Sequence, residues 1–227
     1  MNEKICQLGG EIDFDTRCKD FIIQEKSGEK IVIGIQAVNT LTGEEKEFRC
    51  DALILATGHS AVELYETLAN IAPSALEAKG FAVGVRVEHP RELIDTIQYH
   101  GSKQENLGTA EYRLTCQQDG RGVYSFCMCP GGFVVPSATA PEQIVVNGMS
   151  TASRNSPWSN SAIVVETRVE DIPPDFIKEA EAKKVKPLAG LYWRTFLEHT
   201  AFLNGDKKSQ KAPSQLLSDF LSAILTS

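Results

Sequence analysis

The order of apolar and polar positions divides the chain into an opening of period two, a middle that mixes strands with helices, and a helical end. Ile5 and Leu8 followed by Gly9-Gly10 read as the close of a short helix. From Glu11 the period becomes two. Ile12 and Phe14 alternate, Phe21-Ile22-Ile23 and the run Ile31 to Ile35 flank the turn Ser27-Gly28-Glu29-Lys30, and Thr42-Gly43-Glu44 leads to Glu47–Cys50. This pattern predicts a small antiparallel meander with one buried face. Asp51 to Ala56 is apolar almost without interruption, as in a strand covered on both faces. It passes through Thr57-Gly58-His59-Ser60 into an amphipathic helix from Ala61 to about Ile71, with Val62, Leu64, Leu68 and Ile71 on one side.

Further on, Phe81 to Val87 predicts a strand, and Leu93, Ile94 and Ile97 predict a helix whose first turn takes Pro90. The polar stretch Gly101 to Thr109 reads as a loop. A second β region follows at Tyr112–Cys116, Gly122–Met128, Phe133–Pro136 and Gln143–Asn147, with Asp119-Gly120 turning the first pair. Ser150 to Asn160 is rich in Ser, Asn and Pro and reads as a long loop before a strand at Ala162–Val169. After Ile172-Pro173-Pro174 three helices are expected, at Asp175–Lys184, Leu188–Leu203 and Ser214–Leu225.

Composition narrows the class. The 227 residues are 42% hydrophobic and 23% charged with a mean hydropathy of -0.18, which excludes disorder for most of the chain and allows a buried core. Thirty acidic residues against 23 basic ones leave a net charge of -7, so nucleic acid and anionic membrane are not expected partners. No apolar run reaches the ~20 residues of a transmembrane helix. Met1-Asn2-Glu3-Lys4 lacks a secretory signal pattern, so a cytoplasmic location is expected. The six cysteines are spread along the chain and read as free thiols.

Three turns carry candidate chemistry. In Thr57-Gly58-His59-Ser60 small residues and the start of a helix allow close approach of a ligand to the main chain, or form a plain strand–helix turn. Gly58-His59-Ser60 lacks the second glycine of a nucleophile elbow, because Val62 stands there. In Cys127-Met128-Cys129-Pro130-Gly131-Gly132 the two thiols, spaced i, i+2 on a strand, are expected on one face. They could serve as a redox pair or simply pack, while the absence of a second Cys or His pair argues against zinc. Pro130-Gly131-Gly132 inside a β region implies a bulge or a backbone that a ligand approaches. Asn147-Gly148 ends a strand with another glycine turn. His89, beside Arg86 and Glu88, is either an acid–base group or a structural residue of its strand–helix junction. No Gly-x-Gly-x-x-Gly follows a strand, and no Walker sequence or His-Glu-x-x-His is present.

Together these segments resemble a flavoprotein family. Asp51 to Ala61 resembles the Ala-Thr-Gly segment of two-dinucleotide-binding flavoproteins. Phe81 to Pro90, Gly122 to Gly132 and Val146 to Ser150, in this order, are similar to the bacterial FAD-dependent dehydrogenases. The resemblance covers nearly the whole chain. It implies an α+β fragment of an FAD-dependent oxidoreductase that lacks the primary Gly-rich loop. Residues 1–75 would be part of the FAD-binding α/β domain, 76–186 an inserted antiparallel β-rich domain covering flavin and substrate, and 187–227 a helical segment leading back. The implied cofactor contacts are Cys18, Ala56, Thr57, Gly58, His59 and Ser60, and, on the flavin or substrate side, Cys129, Pro130, Gly131, Gly132, Asn147 and Gly148. No catalytic acid or base and no metal ligand is assigned. FAD would be held by the full-length protein and weakly or not at all by this chain, which alone would be inactive. A small-molecule substrate, a nicotinamide electron donor and self-association through an exposed docking surface are the expected partners. The alternatives are a ligand-binding module without redox activity and a thiol redox protein using Cys127 and Cys129.

Overall fold

The computed structural model describes residues 1–100 and 107–223. The loop expected at Gly101–Thr109 and the end of the last helix lie partly outside them. The chain divides into two units, one of residues 1–77 and 181–188, the other of 78–180 and 189–227. Antiparallel sheets and helices together make an α+β fold.

In the first unit, helix α1 (Asn2–Gln7) precedes the meander β1 (Thr16–Lys26), β2 (Glu29–Asn39) and β3 (Glu45–Arg49), paired in that order. Ser27 and Gly28 both have positive φ, +55° and +83°, which matches the twist of a two-residue hairpin. Helix α2 (Val62–Ile71) packs on β1, burying Leu64 and Ala69. Phe21, Ala37 and Val185 complete the buried apolar set of this unit.

The strand expected at Asp51–Ala56 does not form. The segment carries no ladder bond, and Ile54 is 89% exposed. An apolar run becomes a strand only when a neighbour takes its N–H and C=O groups. Among the described residues β3 pairs with β2, and no strand pairs with 51–56.

The second unit is built on a four-stranded sheet in the order β4 (Phe81–Pro90), β9 (Trp158–Thr167), β6 (Arg121–Cys129), β5 (Thr115–Gln118), with α3 (Arg91–Tyr99) following β4 directly. Pro90 is the last residue of β4 and caps α3, rather than lying in its first turn. The hairpin β7 (Gly132–Pro136) and β8 (Val146–Ser150) forms a separate pair that packs beside β6 and β9. Strand β9 begins at Trp158, so Ser159 and Asn160, expected in a loop, are strand residues. Strand β5 begins three residues later than expected, at Thr115, and β8 is displaced toward Ser150.

The helical end comprises α4 (Pro174–Ala182), α5 (Ala189–Asn204) and the short α6 (Leu217–Leu221). Ile172, Ala180 and Ala189 form a buried cluster with Phe176, Ile177, Tyr192 and Trp193 around them, and Phe81 meets Trp193 edge-on at 5.6 Å.

Candidate functional site

One dense polar arrangement lies in the second unit, where three strands place their side chains on one cluster. Arg86 pairs with Ala162 across β4 and β9, so Asn160, two residues along β9, shares its face. Cys129 of β6 lies opposite Asn160. Arg86 Nε donates to Asn160 Oδ1 at 2.6 Å. Its Nη2 donates to the Cys127 carbonyl at 2.7 Å and lies 3.4 Å from Cys129 Sγ. Asn160 is fully buried, and its Nδ2 has no partner among the described residues. A buried amide donor left unpaired costs about 1–3 kcal/mol, so the cluster carries an unmet demand for an acceptor.

The register of β6 slips between Phe126 and Cys129, and Cys127 takes a φ of +46° at this bulge. The expected common face for the two thiols is therefore lost: Cys127 is exposed and Cys129 buried. Cys129 donates its S–H to the Cys127 carbonyl at 3.3 Å. At Gly148 an added Cβ would collide with the Arg86 guanidinium and with Asn160 Oδ1. Glycine there lets β8 close over the pair.

The neighbouring glycine turn is satisfied internally. Gly131 N–H donates to the buried Ser159 Oγ at 3.0 Å, and Ser150 Oγ donates to the Pro130 carbonyl at 2.9 Å. The space that a Cβ would need at Gly131 is filled by the Arg154 carbonyl, and that at Gly132 by the Met149 carbonyl. Asn147 turns its Oδ1 back to accept from Gly148 N–H at 2.8 Å.

Next to the cluster, His89 Nε2 and the Tyr112 hydroxyl lie 3.0 Å apart. Burial raises the Tyr112 phenol above its ordinary pKa, against a hydrogen bond with Ser161 and the positive field of Arg86. A groove of about 680 Å³ borders the bulge, lined by Tyr112, Arg113, Tyr124, Phe126, Cys127 and Met128 among others. Sequence reasoning missed Arg86, Asn160 and Tyr112 as site residues. The available signal was the polar triplet Ser159-Asn160-Ser161 running straight into Ala162-Ile163-Val164-Val165 with no turn residue between them.

The structure thus brings Cys129 and Gly148 against Arg86 and Asn160, while Pro130, Gly131 and Gly132 meet Ser150, Ser159, Arg154 and Met149. Asn147 is exposed beside Gly148 on β8, and the remaining expected residues lie in the first unit. Cys18 sits on β1 opposite Ala37, and burial, with the nearby Asp20 charge, raises its thiol pKa against the pull of the Asp20 main chain. Ala56, Thr57, Gly58, His59 and Ser60 are all exposed. Gly58 has a φ of +74° with open space where a Cβ would stand, and its carbonyl accepts from the Tyr65 hydroxyl. Ser60 gives its carbonyl to Val62 N–H at 2.9 Å. Among the described residues there is no group of three or more His, Cys, Asp or Glu placed to hold a metal ion, and no helix long and apolar enough to cross a membrane.

A family model described as "FAD-dependent protein, C-terminal domain-like" matches residues 80–227. The chain belongs to that family. The matched span of this FAD-dependent C-terminal domain contains Arg86, Tyr112, Cys129, Gly148 and Asn160, whereas Cys18 and Ala56–Ser60 precede it. A protein of Clostridium beijerinckii described as uncharacterized is 39% identical over 224 residues, which are 97% of this chain. The chain spans 38% of the length of that relative.

Proposed function

We propose that this chain is the flavin-covering and substrate-facing part of an FAD-dependent oxidoreductase of the dehydrogenase type, and that it adds secondary contacts to FAD held mainly by the rest of the full-length protein. The observation that carries the reading is the state of residues 51–58 within a chain of an FAD-dependent family. Their main chain stands outside every sheet ladder, and Gly58 leaves open space at its Cα. Such a segment fits a planar cofactor edge that needs N–H and C=O partners and tolerates no side chain. Ala56, Thr57 and Gly58 would lie along the FAD, with His59 and Ser60 at the entry to α2. When bound, the flavin supplies hydride and electron transfer.

The chain's own part is to bind, orient and exclude water. Arg86 and Asn160 supply positive charge and an N–H donor in a largely buried setting, where such groups act more strongly than in water. The His89–Tyr112 pair offers a proton path at the Tyr112 hydroxyl, next to the groove. A nicotinamide donor would reduce the flavin in the full-length protein.

The test compares flavin retention through gel filtration, read by visible absorbance. The chain alone is expected to emerge colourless after mixing with FAD, and the full-length protein yellow. Gly58→Val in the full-length protein should lower flavin occupancy by filling the open space. Unaltered occupancy in that variant overturns the assignment of residues 56–58.

A further inference from the structure

We propose that the opening at the end of the β5–β6 pair binds a small aromatic acid, with its ring against Phe126 and Met128 and its carboxylate on Arg113. The inference deepens the reading above by naming a substrate class, and it rests on that reading only for calling the ligand a substrate.

The bulge builds the opening. Strands β5 and β6 pair in register from Gln118 and Arg121 to Thr115 and Tyr124. One more main-chain bond follows, from Ser125 N–H to the Leu114 carbonyl at 2.8 Å. Its reciprocal is not made with the main chain, because Leu114 N–H donates to Ser125 Oγ at 2.8 Å. Among the described residues no main-chain bond then joins 111–113 to 126–128. Cys127 takes its φ of +46° here, and its carbonyl is held by Arg86 Nη2 and the Cys129 S–H. A bulge that ends pairing lets the two arms part. The space between them is the groove of about 680 Å³, with Tyr112 and Arg113 on one arm and Tyr124, Phe126, Cys127 and Met128 on the other. Small-molecule sites commonly measure roughly 300–1,000 Å³.

The walls suit a ring. Phe126 is 57% exposed although it lines the groove, and Met128 borders the same space. An open aromatic side chain takes a second ring by offset or edge-on stacking, and a thioether adds a favourable contact with a ring edge.

The free charge in this space is positive. Of the nine arginines in the chain, seven have a carboxylate within ion-pair distance: Arg17, Arg49, Arg91, Arg121, Arg154, Arg168 and Arg194. Arg86 is anchored on an amide oxygen, a main-chain carbonyl and a thiol. Arg113 has neither a hydrogen bond nor an ion pair among the described residues. Glu111, the acid on the groove's wall, is taken by Arg154 at 2.6 Å and so does not cancel the charge of Arg113. A guanidinium presents paired N–H donors that match the two oxygens of a carboxylate. Ring and cation thus line one space, open to solvent, that a ligand can enter. A nucleotide would bring the same combination of ring and oxyanion, and the experiment separates the two.

The test uses the chain labelled with ¹³C at its methionine methyl groups. Three signals are expected, from Met1, Met128 and Met149, and of these residues only Met128 lines the groove. Met128→Leu identifies its signal. Benzoate should move that signal saturably, with a Kd of about 1–10 mM for a ligand of this size, and leave the other two in place. The neutral amide benzamide should bind about five-fold more weakly, the worth of a charge pair at an exposed site. Arg113→Gln should weaken benzoate by the same factor, and Phe126→Leu should weaken it about three-fold. Arg113 and Phe126 are both exposed, so neither variant disturbs a buried core. Adenosine monophosphate should bind more weakly than benzoate, and tighter binding would overturn the choice of a simple aromatic acid. Equal affinity for benzamide, or unaltered benzoate affinity in Arg113→Gln, would overturn the role of charge. No saturable shift of Met128, or equal shifts of all three methionines, overturns the groove. None of these readouts uses flavin, so failure here and failure of the FAD reading are separate results.

Discussion

A double-mutant cycle on Arg86 and Asn160 puts numbers on the cluster. Asn160→Ala removes a charge-assisted hydrogen bond of 2.6 Å, a loss of roughly 1.5–3 kcal/mol. It also removes the buried, unpartnered Nδ2, a gain of about 1–3 kcal/mol. The cavity left by the few lost atoms costs only about 24 cal/mol per Å³. The opposing terms nearly cancel, so Asn160→Ala should change stability by no more than about 1 kcal/mol. Arg86→Met has no such relief. It leaves both polar ends of a fully buried Asn160 unpaired, while the Cys127 carbonyl keeps the Cys129 S–H, a cost of about 1–3 kcal/mol. With Asn160 already gone, the arginine substitution leaves no buried amide unpaired, so the double variant should be milder than the sum by about 1–3 kcal/mol. The assay is urea unfolding read by tryptophan fluorescence, because Trp158 and Trp193 both lie in the second unit. Additivity within about 0.5 kcal/mol, or a larger loss for Asn160→Ala than for Arg86→Met, would refute the reasoning.

Three further outcomes are expected. Asp171 is held down to about 2 by its hydrogen bonds to the Arg121 guanidinium and the Arg168 N–H. Its folded pKa lies below the unfolded value of about 3.9, so its contribution is present above that value and is lost as pH falls from about 4 toward 2. The stability gap between wild type and Asp171→Asn should therefore close over that window, and a gap unchanged by pH contradicts the pairing. Gly131→Ala should destabilise far more than Gly28→Ala. Both positions have positive φ, but only at Gly131 would the Cβ run into a carbonyl, adding an overpacking cost of roughly 1–3 kcal/mol to the left-handed penalty of about 1 kcal/mol; equal melting temperatures would refute this. In the folded chain, a thiol reagent followed by peptide mass mapping should label the exposed Cys6, Cys116 and Cys127 first and Cys129 only on unfolding, and equally fast labelling of Cys129 would show that its burial is wrong.

Where an element depends on its own residues, its pattern was legible in the sequence. Ser27-Gly28 and Asp119-Gly120 specify hairpins locally, because each places two positive φ angles where the strand twist requires them. The amphipathic spacings of α2, α4 and α5 likewise emerge close to their expected bounds. The polar centre was less legible. Ser159-Asn160-Ser161 has the composition of a loop, yet all three residues are fully buried in β9. Their hydrogen-bond partners, Gly131, Arg86 and Phe126, lie elsewhere in the sequence. Burial of a polar side chain depends on partners brought by tertiary pairing, and no local period encodes them. The glycines were found, but not their neighbours: Gly131, Gly132 and Gly148 meet Arg154, Met149 and the Arg86–Asn160 pair.

The segment 51–56 separates two properties that sequence pattern merges. An uninterrupted apolar run expresses a demand for burial, whereas a strand is a statement about hydrogen bonds to a neighbour. Cys50 still donates its N–H to the Ile33 carbonyl at 3.1 Å, and just beyond it the ladder with β2 ends. From there Leu53, Ile54 and Leu55 run at 36%, 89% and 37% exposure, so within the first unit the demand for burial is unmet. The same reasoning applies to Arg86, whose requirement is for negative charge rather than apolar cover. In each case the residues are organised up to the point at which a partner must be supplied. For 51–58 the proposed partner is the FAD, which would take main-chain hydrogen bonds, and for Asn160 it would be an acceptor for the buried Nδ2. The unmet requirement, more than any single motif, is what directs a functional reading to these two places.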